Sequence, residues 1–345
     1  MQAIHRLHDF FTLTGAEVRL YHMGRRVHPC ALETLADFES GQVPWPEPWQ
    51  GRARLALVFR LGDMSDPLIW FLALPVDEQG LLDAAQRDAF LERLLSTLGR
   101  SAEALEQSDG GEIDNLMKDN PLAFTPSLTF QAMLHARASA DLELPASEHL
   151  EPVEAFLSGQ GGHDWQALGL QGLADHVARL TPETEASLVA AIPQLHSEVL
   201  TSLCYCLEHV ALSAELAETL RQRGEQAASQ GDIETFCACV RAVGNAPDSL
   251  AGDWFDALLA DSDACGPDTL AAIAARGWQH LEHAERLPLF LERVAECEGA
   301  DFLAVARDLA QIPRLRLPVL MTLRQAPKDS ATARRLAAVK GTGGH

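Results

Sequence analysis

The apolar pattern of this chain changes once, near residue 127, and that change constrains the fold more than any other feature. Before it, two short runs at 53–61 (ARLALVFRL) and 68–74 (LIWFLAL) are apolar and contain aromatic residues, as strands do. The segment from Gly62 to Pro67 consists of turn-forming residues, so the two runs predict an antiparallel hairpin. After residue 127 the spacing of apolar residues is helical throughout.

Helices and a second strand pair surround this hairpin. Three segments have apolar residues at helical intervals: 3–12, 31–39 and 79–98. Residues 17–22 alternate between apolar and polar side chains, and Val27 and His28 begin a return strand after a turn. The predicted order is helix, two strands, helix, two strands, helix, which is an α+β domain over residues 1–100 with a small antiparallel sheet.

The remainder of the chain is predicted to be a polar linker and a helical domain. Residues 101–126 are polar and contain Pro121 and Pro126, which is typical of a linker. Residues 127–340 carry successive apolar stripes, and Thr181 with Pro182 is a helix start signal, as is Asp232. These stripes predict an all-α domain of stacked antiparallel helices, either solenoid-like or a compact bundle. The last residues, 341–345, are predicted to be disordered.

Charge is distributed unevenly along the 345 residues. The net charge is −22, because 49 acidic residues outnumber 27 basic ones. Residues 126–311 carry 29 acidic and 9 basic side chains, whereas residues 312–345 carry 1 and 7. The acidic body disfavours contact with nucleic acid and with anionic membranes. The basic end is the part of the chain to which this exclusion does not extend.

Targeting and redox signals favour the cytoplasm. The N-terminal residues MQAIHRLHDFF include charges, so they do not resemble a signal peptide, and the longest apolar stretch is too short to span a membrane. Seven cysteines, an odd number, fit free thiols better than a complete disulfide framework. The pairs Cys204/Cys206 and Cys237/Cys239 have helical context, where side chains two apart diverge, so they are expected in the core.

No catalytic, cofactor-binding or metal-ligating residues are predicted. The chain has no Walker loop, no G-x-G-x-x-G, no G-x-S-x-G and no H-E-x-x-H. His280 and His283 are three residues apart, as are His5 and His8, but no further ligand cluster accompanies either pair. Each pair is expected to have a solvent-exposed or capping role.

Two segments contain candidate partner contacts. The loop around Trp45 and Trp49 is rich in proline, and Trp is a frequent interface anchor; alternatively, both rings fold back onto the sheet. The basic end contributes five candidate arginines: Arg314, Arg316, Arg324, Arg334 and Arg335. Their cations could pair with the acidic body of the same chain, bind a partner helix, or contact nucleic acid.

Three stretches resemble an uncharacterised bacterial domain-of-unknown-function family. They are TGAEVRLYHMGRRVHP at 14–29, IWFLALPVDEQGLLDAAQRDAFLERLL at 69–95 and DNPLAFTPS at 119–127. The resemblance implies a bacterial protein of about this length. It implies no activity, cofactor or site.

The resulting hypothesis is a non-catalytic protein-interaction or adaptor protein of the bacterial cytoplasm, with another protein as partner and no cofactor. One alternative is an enzyme with an unrecognised site in the interdomain cleft, where pockets often form. Another is a nucleic-acid-associated protein that uses residues 312–345. The oligomeric state and the pathway do not follow from the sequence.

Overall fold

The computed structural model of the chain describes residues 4–61, 66–98, 117–118, 120–160 and 165–342. The chain divides into two compact units, one of residues 1–127 with 311–313 and one of residues 128–310 with 314–345. The first unit combines a small antiparallel sheet with helices, and the described part of the second is helical. The predicted fold class, α+β followed by all-α, is therefore confirmed.

The sheet of the first unit has four described strands. They are β1 (Glu17–His22), β2 (His28–Cys30), β3 (Arg52–Arg60) and β4 (Leu68–Pro75), in the spatial order β2-β1-β3-β4. The predicted hairpin is the antiparallel β3–β4 pair, in which Arg52 lies opposite Pro75 and Phe59 opposite Leu68. Most of its turn, residues 62–65, lies outside the described residues.

Three described helices belong to this unit: α1 (Leu7–Leu13), α2 (Leu32–Glu39) and α3 (Ala84–Leu98). The ring of Phe11 on α1 meets Phe59 of β3 and Trp70 of β4 edge to face, at centroid distances of 5.1 and 6.0 Å. Aromatic pairs in this geometry add to the energy of apolar burial. The core of the unit is therefore built where α1 packs on the central hairpin.

A buried carboxylate connects the three helices. Glu39, at the end of α2, accepts hydrogen bonds from the backbone N–H groups of Leu7 and His8 at 2.9 Å each. Arg87 on α3 donates to the same carboxylate at 2.7 Å. The otherwise unsatisfied N–H groups at the start of α1 thus receive a partner from another helix.

Helix α3 begins five residues later than the spacing predicted. The Asp77 carboxylate accepts from the backbone N–H groups of Gln79 and Leu81, at 2.7 and 2.9 Å. Such a turn competes with helix formation, because it satisfies backbone donors in a non-helical conformation. The chain therefore turns at Gly80, which has a φ of 78°, before the helix starts.

Part of the predicted linker belongs to the first unit. Residues 101–116 and 119 lie outside the described residues. Residues 122–124 run along β4, with hydrogen bonds from Ala73 N to Leu122 O and from Phe124 N to Phe71 O. Leu122 is fully buried in the core because its side chain alternates inward as in a strand.

Thirteen described helices follow in the remainder of the chain, and none is long and apolar enough to cross a membrane. They are α4 (Leu128–Asp141), α5 (Leu150–Leu157), α6 (Leu170–Ala178), α7 (Pro182–Ala191), α8 (Ser197–Leu207), α9 (Ala214–Ser229), α10 (Ile233–Val243), α11 (Asp248–Ala260), α12 (Pro267–Arg276), α13 (Arg286–Glu296), α14 (Phe302–Gln311), α15 (Pro313–Gln325) and α16 (Ala331–Thr342). The predicted caps are present, since Thr181 accepts from Thr184 N and Asp232 accepts from Thr235 N.

These helices pack in two layers. Helices α4, α6, α8, α10 and α12 each contact the next member of that series, and α5, α7, α9, α11 and α13 do the same. Neighbours along the chain, such as α9 and α10, connect the two layers. This order of contacts is the one that stacked helix pairs produce.

One buried carboxylate joins three helices of the first layer. Glu208, the residue after α8, is 1% exposed. It accepts from Arg241 of α10 at 2.7 and 3.0 Å and from Nε of Arg276 on α12. Burial alone would disfavour the ionised carboxylate, but the charges of both arginines and of His209 lower the pKa of Glu208.

The four cysteines of the two sequence pairs are buried, as predicted. Cys204 of α8 and Cys239 of α10 approach with a Sγ–Sγ distance of 4.0 Å, so sulfurs meet across the pairs rather than within them. Burial raises the pKa of the Cys206 thiol far above its ordinary value. These thiols therefore act as small core side chains.

Candidate functional site

Helix α15 has two apolar faces. Leu315 and Val319 are fully buried on one of them. Leu317, Leu320 and Met321 lie on the opposite side at 100° per residue, and their exposed fractions are 65%, 48% and 46%. We refer to these three side chains as the apolar ridge. A helix of a soluble fold normally keeps the face opposite its core polar, so this ridge is a candidate contact surface.

The remaining exposed large apolar side chains of the described residues are dispersed. They occur singly on different elements: Leu13, Val43, Ile69, Leu128, Leu144 and Ile233. Single exposed apolar residues are normal on a protein surface. The ridge differs because its three members are adjacent on one helix face.

Arginines lie at both ends of the ridge. Arg314 precedes Leu317 by three residues, and Arg324 follows Met321 by three, so both are on the same side of α15 as the ridge. The side chain of Arg314 is 81% exposed, and its Nη1 is 3.7 Å from a carboxylate oxygen of Glu282. Ion pairs of this kind contribute little energy in water. Arg314 and Arg324 are therefore available to a partner, and Arg316 is half-buried.

The two arginines of α16 serve the chain's own structure. Arg335 donates to the carbonyl oxygens of Ala295 and Cys297, at 3.0 and 3.3 Å, and so satisfies the carboxyl end of α13. Arg334 donates to the Asp329 carbonyl at 2.6 Å. Both arginines thus contact the same chain, but through backbone carbonyl groups and not through the pairing with acidic side chains expected from the sequence.

Glu292 of α13 holds the start of α16. Its carboxylate accepts from the backbone N–H groups of Ala331 and Thr332 at 2.6 and 3.1 Å, and from the Thr332 hydroxyl at 2.7 Å. Despite partial burial, which acts in the opposite direction, these hydrogen bonds lower the pKa of Glu292. Together with Arg335, this contact attaches α16 to α13.

The two tryptophans of the proline-rich loop are not equivalent. Trp45 is fully buried, with its ring 4.8 Å from His22 and 5.2 Å from Phe38. Its side chain presents no surface to a partner in this structure. Trp49 is half-buried, and the Arg25 guanidinium lies 5.0 Å from its ring centroid. The folded-back alternative thus describes Trp45.

The same loop brings a carboxylate to two histidines. His22 ends β1 and His28 begins β2, and the two residues are direct partners across the strands. Their rings stack at 4.4 Å with an interplanar angle of 23°. Glu47 adds a carboxylate oxygen 3.2 Å from His28 Nε2. One ligand-capable atom from each of the three lies within 4.8 Å of the others, and we refer to them as the His–His–Glu cluster.

The loop holds Glu47 firmly, because residues on both sides of it are bonded to the sheet region. Trp45 N donates to the Gly80 carbonyl at 3.0 Å, and Trp49 exchanges two backbone hydrogen bonds with Arg52. The Pro48 carbonyl accepts from Arg25 Nε at 3.0 Å. Proline also fixes φ on either side of Glu47, so this carboxylate has a defined position.

The surroundings of the cluster give His22 and Glu47 different charge states. Burial, with a smaller contribution from the neighbouring His28, lowers the pKa of His22 to about 4, so His22 is neutral near pH 7. Burial acts against ionisation of Glu47. The hydrogen bond with His28 and the charges of His28, His22 and Arg26 nevertheless lower its pKa to about 2. Near neutral pH the cluster therefore presents a carboxylate and a neutral imidazole.

His280 is buried, so the solvent-exposed role expected from the sequence is wrong for this residue, whereas its contact with the carbonyl of Gly244, which ends α10, matches the capping role. It is 5% exposed, with Nδ1 at 2.8 Å from Asp248 and Nε2 at 3.2 Å from the Gly244 carbonyl. Arg286 donates to Asp248 at 3.0 Å and to Asp256 at 2.7 and 2.8 Å. Burial lowers the pKa of His280, although Asp248 acts in the opposite direction. Both ring nitrogens are thus engaged within the fold.

Sequence reasoning missed the His–His–Glu cluster, although part of its signal was present. The two histidines flank the predicted turn at 23–26, so a hairpin there places them opposite each other. Nothing in the spacing connects them to Glu47, which arrives from an irregular loop. Three ligands from a strand end, a strand start and a loop have no fixed sequence separation.

These observations define a two-part protein: an α+β unit with a buried His–His–Glu cluster, and a layered helical unit with an exposed apolar ridge. The chain belongs to a family described as a protein of unknown function, DUF3549, whose family model matches residues 2–339. The resemblance noted in the sequence, an uncharacterised domain-of-unknown-function family, is therefore confirmed. Neither a curated protein nor a solved structure gives a significant match.

Proposed function

We propose that this chain is a non-catalytic interaction protein of the bacterial cytoplasm that binds an acidic, amphipathic helix of another protein through α15. The single observation that carries this proposal is the apolar ridge of Leu317, Leu320 and Met321 opposite the buried face of the same helix. Exposed apolar surface carries a hydration cost of roughly 25 cal/mol per Å², which is recovered when a partner covers it. Stacked helices of the repeat type commonly offer surfaces for such partners.

The flanking charges specify the chemistry of the partner. Arg314 and Arg324 bracket the ridge, so a partner with apolar side chains at helical spacing and acidic residues at both ends matches it. Symmetric pairing of α15 with a second copy of itself would place these arginines against each other. Like charges directly opposed are unfavourable, so the proposal commits to a different, acidic protein.

The nucleic-acid alternative from the sequence fits the described residues less well. A phosphate backbone gains nothing from three exposed apolar side chains, and Arg334 and Arg335 are engaged with carbonyl groups of the chain itself. The enzyme alternative, with an unrecognised site in the interdomain cleft, stays a prediction.

A site-specific photocrosslinker tests the proposal. Benzoylphenylalanine is placed at position 320 in the ridge and, as a matched control, at position 233, where Ile233 is 51% exposed on α10. In cells of the source organism, we expect an adduct at 320 that is absent at 233, and whose crosslinked segment is an acidic helix. The adduct should decrease in the Arg324→Glu variant, because the charge complementarity is reversed.

Other outcomes contradict the proposal. Equal adducts at 320 and 233, or none at 320, mean that the ridge is not a specific contact surface. An adduct with a second copy of this chain means self-association instead, and an adduct with nucleic acid favours the alternative that uses residues 312–345. With the purified partner, Leu317→Ser should weaken binding about tenfold or more, and Ile233→Ser should not.

A further inference from the structure

The His–His–Glu cluster of the first unit has the chemistry of a transition-metal site. Imidazole nitrogens and a carboxylate oxygen are the ligands that Zn²⁺ accepts in proteins, and two histidines with one Glu form a known three-ligand set. His22, His28 and Glu47 each offer one such atom within 4.8 Å of the other two. Ligand atoms on one zinc ion are about 3.3 Å apart, given bond lengths near 2.0 Å. Because the two imidazole rings are stacked, binding also requires one of them to rotate so that both in-plane lone pairs point at the same ion.

The hydrogen bonds of His28 favour a cation over a simple polar contact. Its Nδ1 lies 3.2 Å from the Pro29 carbonyl oxygen, and its Nε2 lies 3.2 Å from Glu47 Oε2. In the neutral ring only one nitrogen carries a proton. With that proton on Nε2, the ring donates to Glu47 and the Nδ1 lone pair faces the Pro29 carbonyl; with it on Nδ1, the Nε2 lone pair faces the Glu47 carboxylate. A metal ion between them removes the repulsion of two acceptors.

His22 supplies the second, independent observation. Its side chain is 5% exposed, and its Nδ1 is buried without a hydrogen-bond partner. An unpaired polar atom in the interior costs about 1–3 kcal/mol, so structures rarely retain one without a reason. A proton shared between His28 and Glu47 would satisfy those two groups but leave this nitrogen unpaired. A metal ion bound through Nδ1 of His22 would satisfy all three.

We propose that His22, His28 and Glu47 bind one Zn²⁺-class ion, with a fourth position open to water. This proposal is independent of the partner-binding function of α15. It departs from the sequence expectation that the chain has no metal ligands. The site is accessible, because the side chains of His28 and Glu47 are 33% and 23% exposed. The apolar ring of Trp45 beside His22 shields the inner side of the site.

The bound ion would connect three segments that are distant in sequence. His22 is on β1, His28 is on β2, and Glu47 is in the proline-rich loop. A metal that binds only the folded arrangement stabilises it by mass action. The ion is therefore expected to raise the thermal midpoint of the full-length protein.

The test is calorimetric titration of the chelator-treated, full-length protein with ZnCl₂ alone, and separately with CaCl₂ alone. We expect one zinc ion per chain and no calcium binding, because calcium prefers oxygen ligands. The variants His28→Asn and Glu47→Gln change half-buried side chains and so preserve the fold. We expect each to weaken zinc binding by more than about 100-fold, because loss of a residue that only orients a ligand already costs about 10–100-fold.

Matched controls separate the site from adventitious binding. His135→Asn and Glu92→Gln make the same changes at exposed positions on α4 and α3, and should bind zinc as the unaltered chain does. Titration with Co²⁺ adds a readout other than affinity, because Co²⁺ in a tetrahedral site of nitrogen and oxygen ligands absorbs visible light. We expect His28→Asn to abolish this absorption. Zinc binding of equal strength in His28→Asn, Glu47→Gln and the controls overturns the proposal. Absence of binding to the unaltered chain also overturns it.

Discussion

Removal of the buried charge at Glu208 should destabilise the helical unit more than any comparable change at the surface. The carboxylate is the common acceptor for Arg241 and Arg276, and it connects α8, α10 and α12. In Glu208→Gln the side-chain volume is retained, but both guanidinium groups lose their counter-charge. The Arg276 side chain is 6% exposed, so water cannot replace the lost partner.

The expected magnitude follows from these contacts. A hydrogen bond to a charged group contributes about 1.5–3 kcal/mol, and removal of one partner of a buried ion pair costs about 3–5 kcal/mol. The Arg241 side chain is 27% exposed and can be rehydrated, so we expect a loss near the lower end, about 3 kcal/mol. With a urea m-value of about 3 kcal/mol per M, this lowers the unfolding midpoint by about 1 M.

Urea unfolding followed by circular dichroism at 222 nm measures this loss. The control is Glu218→Gln on α9, which removes a carboxylate that pairs with Arg221 at the surface. Exposed pairs contribute less than about 1 kcal/mol, so its midpoint should shift by less than about 0.3 M. Equal shifts in the two variants would refute the reasoning. A Glu208→Leu/Arg276→Met double variant should be more stable than Glu208→Leu alone, because it leaves no uncompensated charge on Arg276.

Three further predictions concern packing, protonation and capping. Gly172→Ala adds a methyl group that would overlap a backbone carbonyl, so it should cost about 1–3 kcal/mol and lower Tm, whereas Gly266→Ala, which has open space, should not. Burial lowers the pKa of His176, so on acidification the unfolded chain binds a proton before the folded chain does. The free energy of unfolding should therefore fall as the pH decreases below about 6.5. In urea titrations between pH 7 and 5, His176→Phe should reduce this dependence of the free energy of unfolding on pH. Glu39→Ala removes the acceptor of two backbone N–H groups and one arginine and should cost about 3 kcal/mol in urea unfolding, whereas Glu33→Ala at an exposed position should be nearly neutral.

The sequence predicts the secondary structure well where only one pattern of side chains is present. The runs that became β3 and β4 are short, apolar and separated by turn residues, so no helical alternative competes with the hairpin. The start of α3 was placed too early because the Asp77 side chain captures backbone N–H groups, a local competition that periodicity does not report. Likewise, the polar neighbours of Leu122 predict a linker, although the Leu122 side chain itself is buried in the core.

Tertiary contacts explain why the candidate sites were harder to predict. Arg335 is indistinguishable from a free cation in the sequence, since its carbonyl partner Ala295 is 40 residues away. In α15 the apolar residues lie on two faces, with Leu315 and Val319 buried on one and Leu320 exposed on the other. Which side of a helix with two apolar faces becomes core is decided by the neighbouring helices, and one sequence does not specify it.

The attachment of α16 to α13 has a consequence for the rate and affinity of partner binding. Glu292 and Arg335 hold α16 at its first two turns, and Leu315 and Val319 of the neighbouring helix α15 are fully buried. The ridge is thus already ordered before any partner arrives. Association then costs little conformational entropy on this side of the interface, and differences in affinity among partners should be expressed in their dissociation rates.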